Sequence, residues 1–221
     1  MDEKVIFYVT RHGETLYNIL NNVQGWSDTP LTSKGIKIAR LLGKRLKDTP
    51  LAAAYSSDSG RAVETAEIIL NESGNKQIKL CRDKRLREWG FESLEGTSNK
   101  NLLNIILQSI PGINIAQLNH NLPQISQVIV HSDKISWAEN FHTIQNRLRS
   151  VFKNMSATTS LNGGGNVLVV THAFTIKTLI SIFASHRLSE ITKIENASIT
   201  KIVYQNDNFR IIDINNTHYI R

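Results

Sequence analysis

The run Thr10-Arg11-His12-Gly13-Glu14-Thr15 joins two side chains suited to chemistry on phosphate. An imidazole has a reference pKa near ~6.5, so at neutral pH much of it is an unprotonated nucleophile. The neighbouring Arg11 guanidinium grips anionic oxygens in a planar fork and pushes His12 toward its neutral form. Gly13 leaves room for backbone to approach an anion. Three further features carry compatible chemistry. Ser56-Ser57-Asp58-Ser59-Gly60-Arg61 brings a second guanidinium to the start of a helix, where free N–H groups favour negative charge. Val169-Val170-Thr171-His172 ends an apolar run on a second histidine. Leu86-Arg87-Glu88-Trp89-Gly90-Phe91 sets a carboxyl group among aromatic walls, surroundings that raise its pKa and keep it protonated as an acid. Each has a plainer reading: a surface ion pair for Arg61, a satisfied core histidine for His172, a solvated turn for Glu88. Their joint placement at strand ends is what argues for a site.

The elements that must position these groups are legible in the hydrophobic pattern. Val5–Thr10 is a short apolar, β-rich run that reads as a buried strand. Residues 34–47 put Ile38, Leu41, Leu42 and Leu46 on one helical face. A second strand covers Leu51–Tyr55, and a helix with Ala62, Ala66 and Ile69 inward follows from Gly60 to about Glu72. Val167–Val170 is a third strand, and Ile176, Leu179, Ile180 and Phe183 then recur at helical spacing. Lys201–Tyr204 and Arg210–Ile214 flank Asn206-Asp207-Asn208 as an antiparallel hairpin. Strands alternating with amphipathic helices predict a three-layer α/β/α fold around a mostly parallel sheet. Ligands of such sheets bind outside the carboxyl ends of the strands.

One stretch departs from this rhythm. Between Thr97 and Ser132 the only Lys, Arg, Asp or Glu is Lys100, and Ile, Leu, Asn and Gln dominate. We read residues 97–135 as an inserted lid over the sheet's edge, helical around 99–109, within a single domain spanning 1–221. Gly163-Gly164-Gly165 reads as a flexible loop, since it lacks the spacing and following Lys of a phosphate-cradling loop.

Composition narrows the classes. With 221 residues, 40% hydrophobic and 20% charged, the chain suits an ordinary globular protein with a sizeable core. No apolar run reaches membrane-spanning length, and the start shows no signal-peptide pattern. The single cysteine, Cys81, fits a reducing cytoplasm and reads as a small residue at a strand end. A net charge of +7 suits an anionic partner as well as simple solubility. Its Lys and Arg are scattered without aromatic interleaving, which speaks against nucleic acid. No carboxylate or histidine cluster has metal-site spacing, so no metal and no cofactor are expected.

Taken together these residues resemble the histidine phosphatase superfamily, the phosphoglycerate-mutase-like proteins. The likeness runs from Val5 to about Gly96 and from about Glu139 to Ile182. It rests on Arg11-His12-Gly13-Glu14-Thr15 with Asn18, and on Gly25-Trp26-Ser27-Asp28-Thr29-Pro30-Leu31-Thr32-Ser33-Lys34-Gly35. The resemblance implies a phosphate pocket of Arg11, His12, Arg61 and His172, with Asn18, Gln24 and Gly25 near the substrate and Glu88 as proton donor. Ala173 stands where the family usually has Gly, and Lys177 where Arg is common. Asp28 and Glu14 are candidates to support the pocket, or else simply cap turns and pair with surface Lys. The expected activity is hydrolysis of small phosphorylated metabolites through a phosphohistidine. Mutase-type transfer is the alternative, and a catalytically silent phospho-ligand binder a third reading. The cation-poor middle segment favours hydrolysis, because a mutase must also hold a second phosphate. The oligomeric state is not legible in the sequence.

Overall fold

The computed structural model describes residues 3–135 and 137–219, so the outermost residues of the expected domain, 1–2 and 220–221, lie outside it. Six strands form one sheet in the order β3-β2-β4-β1-β5-β6. These are β1 (Val5–Arg11), β2 (Leu51–Ser56), β3 (Leu80–Arg82), β4 (Gly165–Thr171), β5 (Ile199–Gln205) and β6 (Asn208–Asn216). The pairs β3/β2, β2/β4 and β4/β1 are parallel, while β5 and β6 run antiparallel. Val167 to Val170 are all fully buried, because a central parallel strand is covered on both faces. Alternation then divides them: Val167 and Val169 enter one core with Phe7 and Val9, and Leu168 and Val170 enter another.

Helices α2 (Ser33–Arg45) and α3 (Gly60–Glu72) cover the second core. Thr32 caps α2 by accepting from the Gly35 N–H, and Lys44 and Arg45 suit its negative end. Ile38, Leu42 and Leu46 are buried as the spacing predicts, and Leu41 is half-buried. On the opposite face lie α6 (Phe141–Leu161) and α7 (Ala173–Ala184). Helix α6 is not anticipated above, although Ile144, Leu148, Val151, Phe152 and Met155 follow helical spacing and all are buried. A one-turn helix, α1 (Leu16–Ile19), is closed by a capping box of Thr15 and Asn18.

The middle segment holds α4 (Asn99–Ser109), as expected, and also α5 (Leu122–Ser132). Leu102, Ile106, Leu122, Ile125 and Ile129 join the core that contains α6 and α7, and α5 packs on α6. Amphipathic helices bury their apolar faces in a helical layer in this way. The hairpin β5/β6 turns at Asn206 and Asp207, both with positive φ, the geometry that matches strand twist. Gly163 to Gly165 also have positive φ, but Gly165 already opens β4 with its N–H on the Lys4 carbonyl. Cys81 is free and exposed, mid-way along the short edge strand β3. Among the described residues no helix is long and apolar enough to cross a membrane.

Candidate active site

Because β1, β2 and β4 are parallel, His12, Ser57 and His172 leave the sheet along one edge. The His12 N–H bonds the Thr171 carbonyl at 3.0 Å, tying the two histidine-bearing ends together. The His12 side chain is buried, with Nδ1 2.7 Å from the Gly13 carbonyl. A carbonyl only accepts, so Nδ1 carries the proton and Nε2 keeps its lone pair. The Gly13 N–H is held by Thr65 Oγ1 at 3.0 Å, and the His12 carbonyl by Asn196 Nδ2 at 3.0 Å. Burial above all, then the charges of Arg61 and Arg11, hold the His12 pKa well below the ordinary value. Gly13 does not open space for an anion as expected. A Cβ there would lie 2.8 Å from the Gly35 carbonyl, so the glycine serves close packing of this loop on α2.

His172 is the N-cap of α7, and its ring centroid lies 5.3 Å from that of His12. Its Nδ1 sits 3.0 Å from Arg61 Nη2, a donor, so the proton of the neutral ring is on Nε2. Burial and Arg61 hold this imidazole well below its ordinary pKa too. Arg61 is buried at the start of α3 and is clamped by the Ser27 and Gly25 carbonyls at 2.8 and 2.7 Å and by Asp28 Oδ1 at 2.9 Å. Asp28 thus supports the pocket, whereas Glu14 pairs with exposed Lys34, the plainer reading. Arg11 donates through Nη1 to the Ile194 carbonyl at 2.7 Å. Among the described residues, Arg11 Nε, Arg61 Nε and His172 Nε2 are buried with no protein partner. Three unpartnered donors and a neutral imidazole in one cluster have the chemistry to receive an oxyanion.

Glu88 is also buried. Its Oε1 accepts from the N–H groups of Trp89 at 3.1 Å and Thr175 at 2.9 Å; the Thr175 hydroxyl lies 3.2 Å away but is nearer, at 2.8 Å, to the Arg87 carbonyl that takes its proton. Its Oε2 accepts only from the Phe174 N–H, at 2.9 Å. Burial raises its pKa, against the opposing effect of the Phe174, Trp89 and Thr175 N–H groups. With Oε1 fully used, Oε2 has the free lone pair able to hold a proton.

The remaining expected residues are nearby but largely occupied. Gln24 Oε1 accepts from Thr15 Oγ1 at 2.7 Å and its Nε2 donates to Thr29 Oγ1 at 2.9 Å. The Gly25 carbonyl holds Arg61. Asn18 Oδ1 accepts from Asn196 Nδ2 at 3.0 Å, and Asn18 lines a cavity of about 570 Å³ together with Arg11, Lys34 and Lys193. Arg82, Arg85 and Arg87 are each paired with a carboxylate, Glu67, Asp83 and Asp58. Residues not singled out above complete the frame. Glu95 gathers the N–H groups of Gly25, Trp26 and Ser27 and the Ser27 hydroxyl. Arg147 reaches the carbonyls of Arg85, Arg87 and Glu88 at 2.7 to 3.0 Å while paired with Glu139. No local pattern marks either, since their partners lie 59 to 70 residues away. Among the described residues no group of three or more His, Cys, Asp or Glu is placed to hold a metal ion.

Fold and site together define an α/β protein with two buried histidines and two arginines clustered at the carboxyl ends of parallel strands. The family model of the histidine phosphatase superfamily, branch 1, matches residues 7–217, and the chain belongs to that superfamily. It is similar to a phosphoglycerate mutase of Bacillus anthracis, 36% identical with a TM-score of 0.92 over 99% of this chain and 96% of that one. It is similar also to YhfR of Bacillus stearothermophilus, 32% identical with a TM-score of 0.78 over 98% of this chain and 100% of that one. The probable phosphoglycerate mutase GpmB of Proteus mirabilis is 28% identical over 90% of this chain and 85% of its own. Members of the superfamily act as phosphatases or mutases, and the chain is an enzyme of this kind.

Proposed function

We propose that the protein hydrolyses small phosphate monoesters through a phosphohistidine on His12. The observation that carries this reading is the set of buried, unpartnered donors, Arg11 Nε, Arg61 Nε and His172 Nε2, beside a His12 ring whose Nδ1 proton is fixed. His12 Nε2 attacks phosphorus in line, and the P–N bond forms as the ester P–O bond breaks. The guanidinium and imidazole donors take the equatorial oxygens, the part a metal plays elsewhere. Glu88 passes the proton on Oε2 to the departing alkoxide. As a carboxylate it then takes a proton from the water that cleaves the P–N bond, releasing phosphate and restoring His12. A small phosphorylated metabolite is the partner this mechanism needs.

A mutase reading has observations in its favour: relatives named as mutases, and Lys34 and Lys193 lining the cavity beside Arg11. Both lysines are paired with carboxylates, Glu14 and Glu195, which leaves them less available to a second phosphate. The test compares interconversion of 3-phosphoglycerate, primed with 2,3-bisphosphoglycerate, with phosphate release from a panel of monoesters. Acid quenching during turnover should trap a base-stable, acid-labile adduct that is absent from His12→Ala. If interconversion outruns every hydrolysis, the mutase reading replaces this one; an acid-stable adduct removes His12 from the role.

A further inference from the structure

Helix α7 presents two surfaces from one turn. The N–H groups of Phe174 and Thr175 hold the Glu88 carboxylate, while the side chains of Phe174 and Lys177, one turn apart, face a separate cavity of about 170 Å³. Its walls come from α4, α5 and the turn between them: Leu102, Ile106, Leu118, Leu122 and Ile125. An engineered apolar cavity of about 150 Å³ takes a benzene molecule, so this space suits a body of that size. Asn99 lines both this cavity and the larger one that contains Arg11 and Asn18, which places the apolar space alongside the histidine and arginine cluster.

The cavity contains one charged side chain, and that charge is poorly satisfied. Among the described residues, Lys177 Nζ has a single long bond, 3.4 Å to the Thr192 carbonyl, and it lies 5.2 Å from the centroid of the Phe174 ring. Among the described residues no carboxylate is within ion-pair distance of it, although nine other ion pairs form. Burial brings its pKa down to about 8, so at neutral pH most of it stays an ammonium ion in an apolar setting. A half-buried cation with no carboxylate partner can take an anionic ligand oxygen.

We propose that this cavity receives the alcohol part of the substrate and selects a compact apolar alcohol carrying a carboxylate that pairs with Lys177. The proposal rests on the hydrolase reading above, in which Glu88 protonates the leaving oxygen next to Phe174. The apolar walls exclude strongly hydrated polyols, and Lys177 separates acidic alcohols from neutral ones of the same size.

The test measures phosphate release and kcat/KM for glycerol 3-phosphate, benzyl phosphate, 4-carboxybenzyl phosphate and the phosphate ester of phenyllactate. One of the two carboxylated aromatic esters should be the best substrate, and benzyl phosphate should exceed glycerol 3-phosphate. Lys177→Met should lower kcat/KM at least tenfold more on the better carboxylated ester than on benzyl phosphate, and Lys177→Arg should recover most of that difference. Binding of the same esters to His12→Ala, with and without Lys177→Met, gives the same comparison without turnover. Preference for glycerol 3-phosphate, or equal loss on charged and neutral esters in both measurements, overturns the proposal. Absence of turnover with Lys177-dependent binding intact overturns the hydrolase reading and leaves the cavity assignment standing.

Discussion

Replacing Glu88 by Gln separates the two duties of this carboxyl group. In the native site Oε1 is filled by two N–H donors, those of Trp89 and Thr175, and Oε2 accepts from the Phe174 N–H. A Gln that keeps its oxygen at the Oε1 position turns its NH2 toward the Phe174 N–H, donor against donor. One buried N–H then loses its acceptor, at about 1–3 kcal/mol. That is within the roughly 5–15 kcal/mol by which domains are stable, so the variant should fold. The amide has no proton to deliver, and general acid help is worth about 10²–10⁴ in rate. We therefore expect kcat/KM, which reports the step that phosphorylates His12, to fall by that factor for alkyl phosphates. For 4-nitrophenyl phosphate, whose phenolate departs unprotonated, it should fall about tenfold or less. The amide also cannot activate water, so the aryl ester should show a burst of nitrophenol followed by slow turnover, with labelled phosphoenzyme accumulating. Rapid-quench and stopped-flow measurements read both effects, and urea denaturation checks the fold. Equal losses in kcat/KM on both ester types would remove Glu88 as the acid, and a missing burst would remove it as the base.

The two buried histidines should make stability depend on pH. Both have folded pKa values well below the unfolded value of ~6.5, so below that pH the unfolded chain binds more protons. Stability should then fall with falling pH by up to about 1.4 kcal/mol per unit for each histidine. Glu88 acts in the opposite sense, its raised pKa adding stability at low pH that is lost as pH rises through the folded value. Urea titrations from pH 7 to 5 should show a slope that flattens in His12→Gln/His172→Gln; an unchanged slope would refute the assignment. Arg147→Met should cost about 3 kcal/mol, because it strands Glu139 and takes a donor from three carbonyls of the Glu88 loop; denaturation midpoints check it. Activity should persist in excess EDTA, and loss that one metal restores would overturn the mechanism.

The local sequence by itself determines much of this protein. Alternation and helical spacing mark β1, β2, β4, α2, α3, α7 and the final hairpin, because burial on a sheet or helix imposes a period on apolar residues. The same logic brings His12, Arg61 and His172 to one sheet edge, since parallel strands end on one side. Glu88, immediately before Trp89, is legible as a carboxyl group in apolar surroundings. Tertiary structure alone decides what these groups can do. Which nitrogen of each histidine is free depends on the Gly13 carbonyl and on an Arg61 guanidinium 111 residues away from His172. The loop that holds Arg61 is shaped by Glu95, and the loop of Glu88 by Arg147, partners whose spacing follows from packing rather than from any local pattern. The middle segment reads as a lid, but the packing of α5 on α6 and the cavity that α4 and α5 form around Phe174 and Lys177 follow only from the tertiary structure. A hydrogen bond needs a direction and a neighbour, and sequence spacing supplies these only within a turn or a strand pair.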